Sequence, residues 1–256
     1  MRFFVGLHQP NHAKHFERSM ISVNRLRHRR LGFKANEWIM DSGAFSELSQ
    51  HGRYRHPAST YAYQVRRWAK NGRLLAAVTQ DYMCEPFILK ITGLTVKKHQ
   101  QLTIERYDAL VQCGTNGVYV LPVLQGYSPA EYLQHISMYG NRLQEGMWVG
   151  VGSICKRNGT PKQIIEVLKT IKEARPDLRL HGFGVKTTGL SSHDVCDLLQ
   201  TADSMAWSFA ARREGRDANS WQEALAFVQR IEGQVWMAMN VARQKKLQFA
   251  ASAGAR

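Results

Sequence analysis

The sequence predicts a single (β/α)8 barrel, and three observations carry that expectation. Eight short apolar or β-branched runs recur along the 256 residues, most are separated by segments with helix-start and helix-stop residues, and 44% of the chain is hydrophobic, enough for one large core. A doubly wound open sheet is the alternative reading of the same alternation.

The runs, in order, are FFVGL (3–7), ISV (21–23), WIM (38–40), LLAAVTQ (74–80), VYVLPVLQ (118–125), MWVGVGS (147–153), LHGFGV (180–185) and SMAWSF (204–209). Between them, Ser59 can cap a helix over YAYQVRRWAK that stops at Asn71-Gly72, and TVKKHQQLTIERYDALVQC ends at Gly114. Ser128-Pro129 and Thr160-Pro161 open two more, because proline is tolerated where a helix's first N–H has no partner. Residues 220–246 read as a long terminal helix with Trp221, Leu225, Val228 and Ile231 near one face, followed by a frayed tail. The expected organisation is therefore a barrel over 1–219, with a C-terminal helix and basic tail over 220–256 packing on it or extending from it. That helix has enough apolar surface either to close the barrel or to pair two copies of the chain as a homodimer.

No apolar run is long enough to span a bilayer and the N-terminus lacks a signal-peptide pattern, so a soluble, cytoplasmic protein with no membrane partner is expected. Cys84, Cys113, Cys155 and Cys196 are scattered without C-x-x-C spacing, which suggests neither zinc nor a disulfide framework and reads as reduced, mostly buried thiols. Thirty-five Lys and Arg against 20 Asp and Glu give a formal charge of +15, which points to a polyanionic partner.

Parallel barrels place their chemistry at the carboxyl ends of the strands, so the polar residue closing each run is the informative one. Those residues are His8 and Gln9, Asn24, Asp41 and Ser42, Gln80 and Asp81, Gln125, Gly152 and Ser153, Lys186, then Trp207 and Ser208. Each also has a plainer reading: Asp41 before Ser-Gly as a turn cap, Asp81 as an arginine partner, Gln125-Gly126 as turn chemistry.

Several stretches resemble known sequences. DSGAF, VLQGY (123–127), WVGVGS (148–153) and HGFGVK (181–186) resemble, in the same order, elements of the guanine transglycosylases. MDSGAFSEL, TQDYMCEP (79–86), KKHQQLT (97–103), VGVGSICKR (149–157), LHGFGVKTTGL (180–190) and ADSMAWSFAARR (202–213) are similar to the DpdA branch, which inserts 7-deazaguanines into DNA. The resemblance covers about residues 3–213.

It implies a transglycosylase barrel that exchanges guanine in a nucleic acid for a 7-deazaguanine such as 7-cyano-7-deazaguanine. Both bases would use one pocket in turn while a carboxylate holds the sugar, as in retaining glycosidases. The resemblance puts Asp41 in a catalytic role and Asp81 on the N1 and 2-amino edge of guanine, two parallel donors that a carboxylate accepts. Gln125 and the Gly152 N–H correspond to donors on the purine O6, and Ser153 lies near the 7-substituent. Ser42, Gly43 and Gly126 belong to the same base-binding motifs. Phe45, Tyr82 and Met83 are candidates to sandwich the base or to fill core.

The chain departs from the transglycosylase pattern in two ways. Where that family carries its nucleophilic aspartate in the last strand, alignment puts Trp207, and Asp203 is expected before the strand, facing the opposite mouth. Asp41 then becomes the nucleophile, with Asp81 or a histidine handling protons, and Trp207 either stacks on base or sugar or fills core. The zinc-binding insertion has no counterpart, so no metal or other cofactor is expected, and its loss favours DNA over tRNA.

Arg53, Arg55, Lys156, Arg157, Lys186, Arg212 and Arg213 are expected at the mouth as phosphate contacts, with the target base flipped or single-stranded. The other basic residues beside the motifs, Arg25 and Arg27 among them, read mostly as solvated faces. His8, His99 and His181 are open between proton transfer, phosphate contact and structural roles. Beside DNA guanine exchange stand exchange on tRNA or hydrolytic release of a modified base, and an inert nucleic-acid-binding barrel that Trp207 would explain.

Overall fold

The computed structural model describes residues 1–155 and 161–233. In chain order the elements are β1 (Arg2–Leu7), β2 (Arg18–Ser22), β3 (Glu37–Asp41), α1 (Ala44–His51), α2 (Ala58–Trp68), β4 (Arg73–Val78), α3 (Pro86–Thr92), α4 (Val96–Cys113), β5 (Tyr119–Leu121) and β6 (Val123–Leu124). They continue with α5 (Pro129–Tyr139), β7 (Trp148–Val151), α6 (Pro161–Ala174), β8 (Arg179–Gly182), α7 (Thr187–Leu190), α8 (His193–Leu198), β9 (Thr201–Ser204) and α9 (Ala206–Arg213). A last helix, α10, covers residues 221–233.

All strand pairs are parallel, in the order β5-β4-β3-β2-β1-β9-β8-β7-β6. β5 and β6 are one run interrupted by Pro122, which has no N–H for a ladder. The first half pairs with β4 through Val78 and Leu121 and the second with β7 through Val123 and Gly150, while the Pro122 carbonyl accepts the Gly150 N–H at 2.8 Å. Eight strand positions thus close at this kink into a (β/α)8-type barrel.

Side chains alternate faces along each strand. Phe4, Met20, Ile39, Val78, Leu121 and Val123 pack together inside the barrel, while Val5, Ile21, Met40, Ala77, Leu124 and Val151 join the layer between sheet and helices. α5 begins with a capping box between Ser128 and Glu131, and Thr95 caps α4 by accepting the Lys98 N–H. α2 starts at Ala58, earlier than expected, with Pro57 rather than Ser59 at its cap. On α10, Ala224, Phe227 and Ile231 are buried in the main core, and Phe227 meets Phe3 edge-on. The expected continuation of this helix to 246, and the tail, lie outside the described residues.

Two expected strands move. β2 starts at Arg18, three residues before the apolar run, and β9 is Thr201–Ser204 rather than 204–209, so that WSFAARR forms helix α9 instead. Among the described residues no helix is long and apolar enough to cross a membrane. Among the described residues no disulfide joins the cysteines; Cys84 and Cys196 are buried, Cys155 is half-buried and Cys113 is exposed.

Candidate active site

Period-two alternation carries the barrel interior up to its carboxyl rim. One pleat beyond Ile39 comes Asp41, one beyond Val123 comes Gln125, and one beyond Thr201 comes Asp203. These residues, with Asp81, Gly152 and Ser153, line a cavity of about 780 Å³, a size typical of small-molecule clefts.

Asp41 ends β3 against a glycine the backbone requires. Gly43 sits at φ +76°, its N–H donates to Asp41 Oδ2 at 3.1 Å, and a Cβ there would lie 2.5 Å from the Asn24 amide. Burial pushes the Asp41 pKa up, with Asp203's charge adding to the rise, while Ser22 and the Gly43 and Ser42 N–H groups oppose it.

Asp81 is a second carboxylate of the cavity whose pKa is raised. Burial pushes it up to about 7, the charges of Asp41 and Glu85 add to the rise, and the Gln125 amide opposes it. Gln125 Nε2 donates to Asp81 Oδ2, and Ser42 Oγ lies 3.5 Å from Oδ1. At its other end Gln125 Oε1 accepts from Ser153 Oγ at 2.7 Å. Ser153 holds φ +56°, rare for a residue with a side chain, and its Oγ also accepts the Cys84 N–H at 3.0 Å and lies 3.0 Å from Glu85 Oε2. A Cβ at Gly152 would fall 2.1 Å from Gln125 Nε2, so the absence of a side chain there lets the glutamine reach Asp81.

Asp203 faces the same cavity, not the opposite mouth. With β9 beginning at Thr201, Thr201 and Asp203 both point inward, and the expectation failed because it placed the strand three residues late. Gly184 N–H donates to Asp203 Oδ1 at 3.0 Å, and His181 Nε2 lies 3.3 Å from the same oxygen. Trp148 Nε1–H donates to Thr201 Oγ1 at 2.8 Å, and that hydroxyl is 2.9 Å from His181 Nδ1. With Thr201 donating to Nδ1, the His181 Nε2–H is left to aim at Asp203.

Several expected base contacts fall elsewhere. Trp207 is on α9, 3% exposed in the core, with its Nε1–H donating to the Gly6 carbonyl at 2.9 Å, because the segment expected as a strand is a helix. Tyr82 turns away from the cavity to pack edge-on against Tyr54 and His99, whereas Met83 lines it. Gly126 packs against Glu131 and Tyr132 outside it. The Gly152 N–H donates to the Leu124 carbonyl at 2.9 Å, so it is not free for a purine oxygen. Ser42 is fully buried and acts from behind, between Tyr54 and Asp81. Phe45 lines the cavity and is half exposed.

Of the expected phosphate contacts, Arg55 lines the cavity but forks onto Glu47 at 3.1 and 3.2 Å, while Arg53, Lys186, Arg212 and Arg213 are exposed outside it. Lys156 and Arg157 lie outside the described residues. The basic wall of the cavity comes instead from Arg25 and His28, next to His8, while Arg27 lines it too but lies 3.7 Å from Glu47 Oε1. Arg25 Nη2 donates to His8 Nδ1 at 3.2 Å, so the His8 Nε2–H faces Ser208 Oγ at 2.8 Å. Burial, then Arg25 and Arg212, hold the His8 pKa below its usual value. His99 is buried, bonded to the Met83 carbonyl and the Thr92 hydroxyl. Among the described residues no group of three or more His, Cys, Asp or Glu side chains is disposed to hold a metal.

Three aspartates and a fixed amide around one cavity, with cations along one wall, form a set that can grip a flat heterocycle, support a cationic sugar centre and accept phosphates. No curated protein matches the chain. The model of the DpdA family, DeoxyPurine in DNA protein A, matches residues 1–251, and the chain therefore belongs to that family.

Proposed function

We propose that this protein exchanges guanine in DNA for a 7-deazaguanine, such as 7-cyano-7-deazaguanine, through a sugar carried on a carboxylate. Membership of the DpdA family supports DNA-modifying deazapurine transglycosylation at the family level. The observation that carries the finer reading is the convergence of Asp41, Asp81 and Asp203 on one cavity, with Gln125 bonded to Asp81.

In this reading guanine enters edge-on to Asp81, whose carboxylate accepts N1–H and the 2-amino group, with Phe45 against the ring. Asp203 is the nucleophile: its oxygen bonds C1′ as the C1′–N9 bond breaks, and His181 and the Gly184 N–H keep it aimed. Asp41, whose pKa is raised, gives a proton to the departing guanine and takes one from N9 of the incoming base, which then displaces Asp203 and leaves the sugar's configuration retained. Deoxyribose helps, because it lacks the 2′-hydroxyl that would destabilise the oxocarbenium-like transition state. The reading as an inert binding barrel rested on Trp207 in place of an aspartate, and Asp203 removes that motive.

The test is release of radiolabelled guanine from DNA with and without 7-cyano-7-deazaguanine. Exchange predicts release only when the new base is supplied. Release without it indicates a hydrolase, and retained label in both arms refutes catalysis.

A further inference from the structure

One exposed apolar feature beside the cavity has no part in the chemistry above. α3 presents Phe87 and Ile91, one helical turn apart and 38% and 47% exposed, and Leu94 follows at 36%. Such side chains four residues apart lie on one face of a helix, and together they form a ridge. Its inner end is at the cavity: Phe87 lies 6.3 Å, ring to ring, from Phe45, which lines the cavity and is 51% exposed.

The ridge is anchored, not frayed. Ile88, fully buried and next to Phe87 in sequence, packs in one cluster with Leu48 of α1 and with Tyr54 and Tyr82. The turn at Gly52 rests on Ile91, where a Cβ would lie 3.6 Å from the Ile91 carbonyl, and places the exposed Arg53 next in sequence. Lys90 is exposed on the same helix. An apolar ridge bordered by cations on a chain of charge +15 suits a polyanion with apolar faces between its charges, which describes stacked nucleic-acid bases better than a protein surface.

A guanine inside a duplex must leave its stack to reach a cavity of this kind, and leaves a gap. Apolar side chains inserted between base steps are a recurrent means of opening the stack. We infer that Phe87 and Ile91 are a wedge that enters the base stack of duplex DNA at the place the extruded guanine vacates. This rests on the DNA reading given above. The position of the ridge beside Phe45 lets one aromatic hold the flipped base while its neighbour fills the hole.

The test compares exchange on three oligonucleotides of one sequence: the target guanine paired with cytosine, opposite an abasic site, and single-stranded. Both wedge residues are exposed, so Phe87→Ala and Ile91→Ala leave the fold intact. Loss of the wedge should slow exchange on paired guanine by about tenfold or more and leave the abasic and single-stranded substrates near wild type, because only the paired substrate needs its stack opened. Equal loss on all three, or no loss on any, overturns the wedge. Fluorescence of 2-aminopurine beside the target guanine gives a readout independent of chemistry, since wild type should brighten it on binding and Phe87→Ala should not. Brightening that depends on Phe87 with no exchange on any substrate would keep the wedge and remove the proposed reaction; exchange with unaltered brightening would do the reverse.

Discussion

On the β3 to β7 side of the cavity Asp81, Gln125 and Ser153 are tied to one another and to buried backbone, whereas on the β9 to β2 side Asp203, His8 and Arg25 stand around an open, basic rim. The first side is built to hold one heterocycle in one orientation, since swapping the Gln125 amide ends would put its oxygen on Asp81. The second is built to meet something charged and larger than the cavity. The difference teaches a division of labour: recognition needs a dry, cross-linked wall, and reaction on a polymer needs a wall the backbone can approach.

The largest effect that could break this comparison is at Asp203. Asp203→Asn keeps the shape and the Gly184 contact but removes the nucleophile, and exchange should fall by about a thousandfold or more while DNA binding persists. Asp41→Asn should match it in turnover, but only Asp203 should appear in the covalent adduct trapped with DNA and mapped by mass spectrometry. An adduct on Asp41 would reverse the two roles.

Next in size is the pH response of the closed wall. A carboxyl free in the unfolded chain titrates near 3.8, and in the folded protein Asp81 is held at about 7. The folded state then binds more protons between those values, so Asp81 makes stability fall as pH rises from about 4 to about 7. Denaturant titrations across that range should show the decline, and Asp81→Asn should flatten it. If Asp81 must be ionised to accept two donors from guanine, kcat/KM should climb to a plateau above pH about 7, and the same variant should lose the bend together with preference for guanine.

How far the two walls were legible in the sequence follows from what each is made of. WIMDSGAF, TQDYM and VLQGY announce themselves, because an apolar run stops at a polar residue, with a glycine close behind in the first and last, and period-two alternation then puts Asp41 and Gln125 in the interior. β9 is TADS, four small or polar residues with no apolar run, while the apolar segment just after it belongs to α9. The strand signal therefore pointed three residues late and turned Asp203 away from the site. Arg25 closes a three-residue 3-10 turn, Val23–Arg25, and Arg27 follows it, a stretch too short for periodicity, and nothing local distinguishes an arginine that faces a cavity from one that faces water. Tyr82 and Gly126 adjoin true cavity residues in sequence, but alternation sends neighbours to opposite faces. Gly152 lines the cavity without its N–H being available, because the strand ladder to Leu124 takes it.

A smaller effect tests the open wall. Arg25 is exposed, and among the described residues no carboxylate pairs with it, so its charge is available to a phosphate. Arg25→Ala should reduce the slope of log affinity against log salt by about 1 and weaken binding across all DNA sequences alike. It should also raise the His8 pKa, which Arg25 now helps to depress, a shift that NMR titration of the imidazole would report. An unchanged salt slope would mean that DNA approaches from another side.

The smallest effect concerns Trp207, the residue that best separates contact with substrate from support beneath it. Its indole is buried and its N–H bonds the carbonyl of Gly6, itself a lining residue of the cavity, and its face meets the His8 ring edge-on at 6.0 Å. Trp207→Phe keeps most of the apolar volume and loses that hydrogen bond, which should lower unfolding free energy by about 1 kcal/mol. A side chain that stacked on the base would instead give a variant of near-normal stability with altered preference among incoming bases. Thermal unfolding and competition between guanine and 7-cyano-7-deazaguanine, measured on the same sample, distinguish these outcomes. Support from beneath predicts a lower Tm with an unchanged ratio of the two bases, because the cavity wall that reads them is on the far side of the barrel from Trp207.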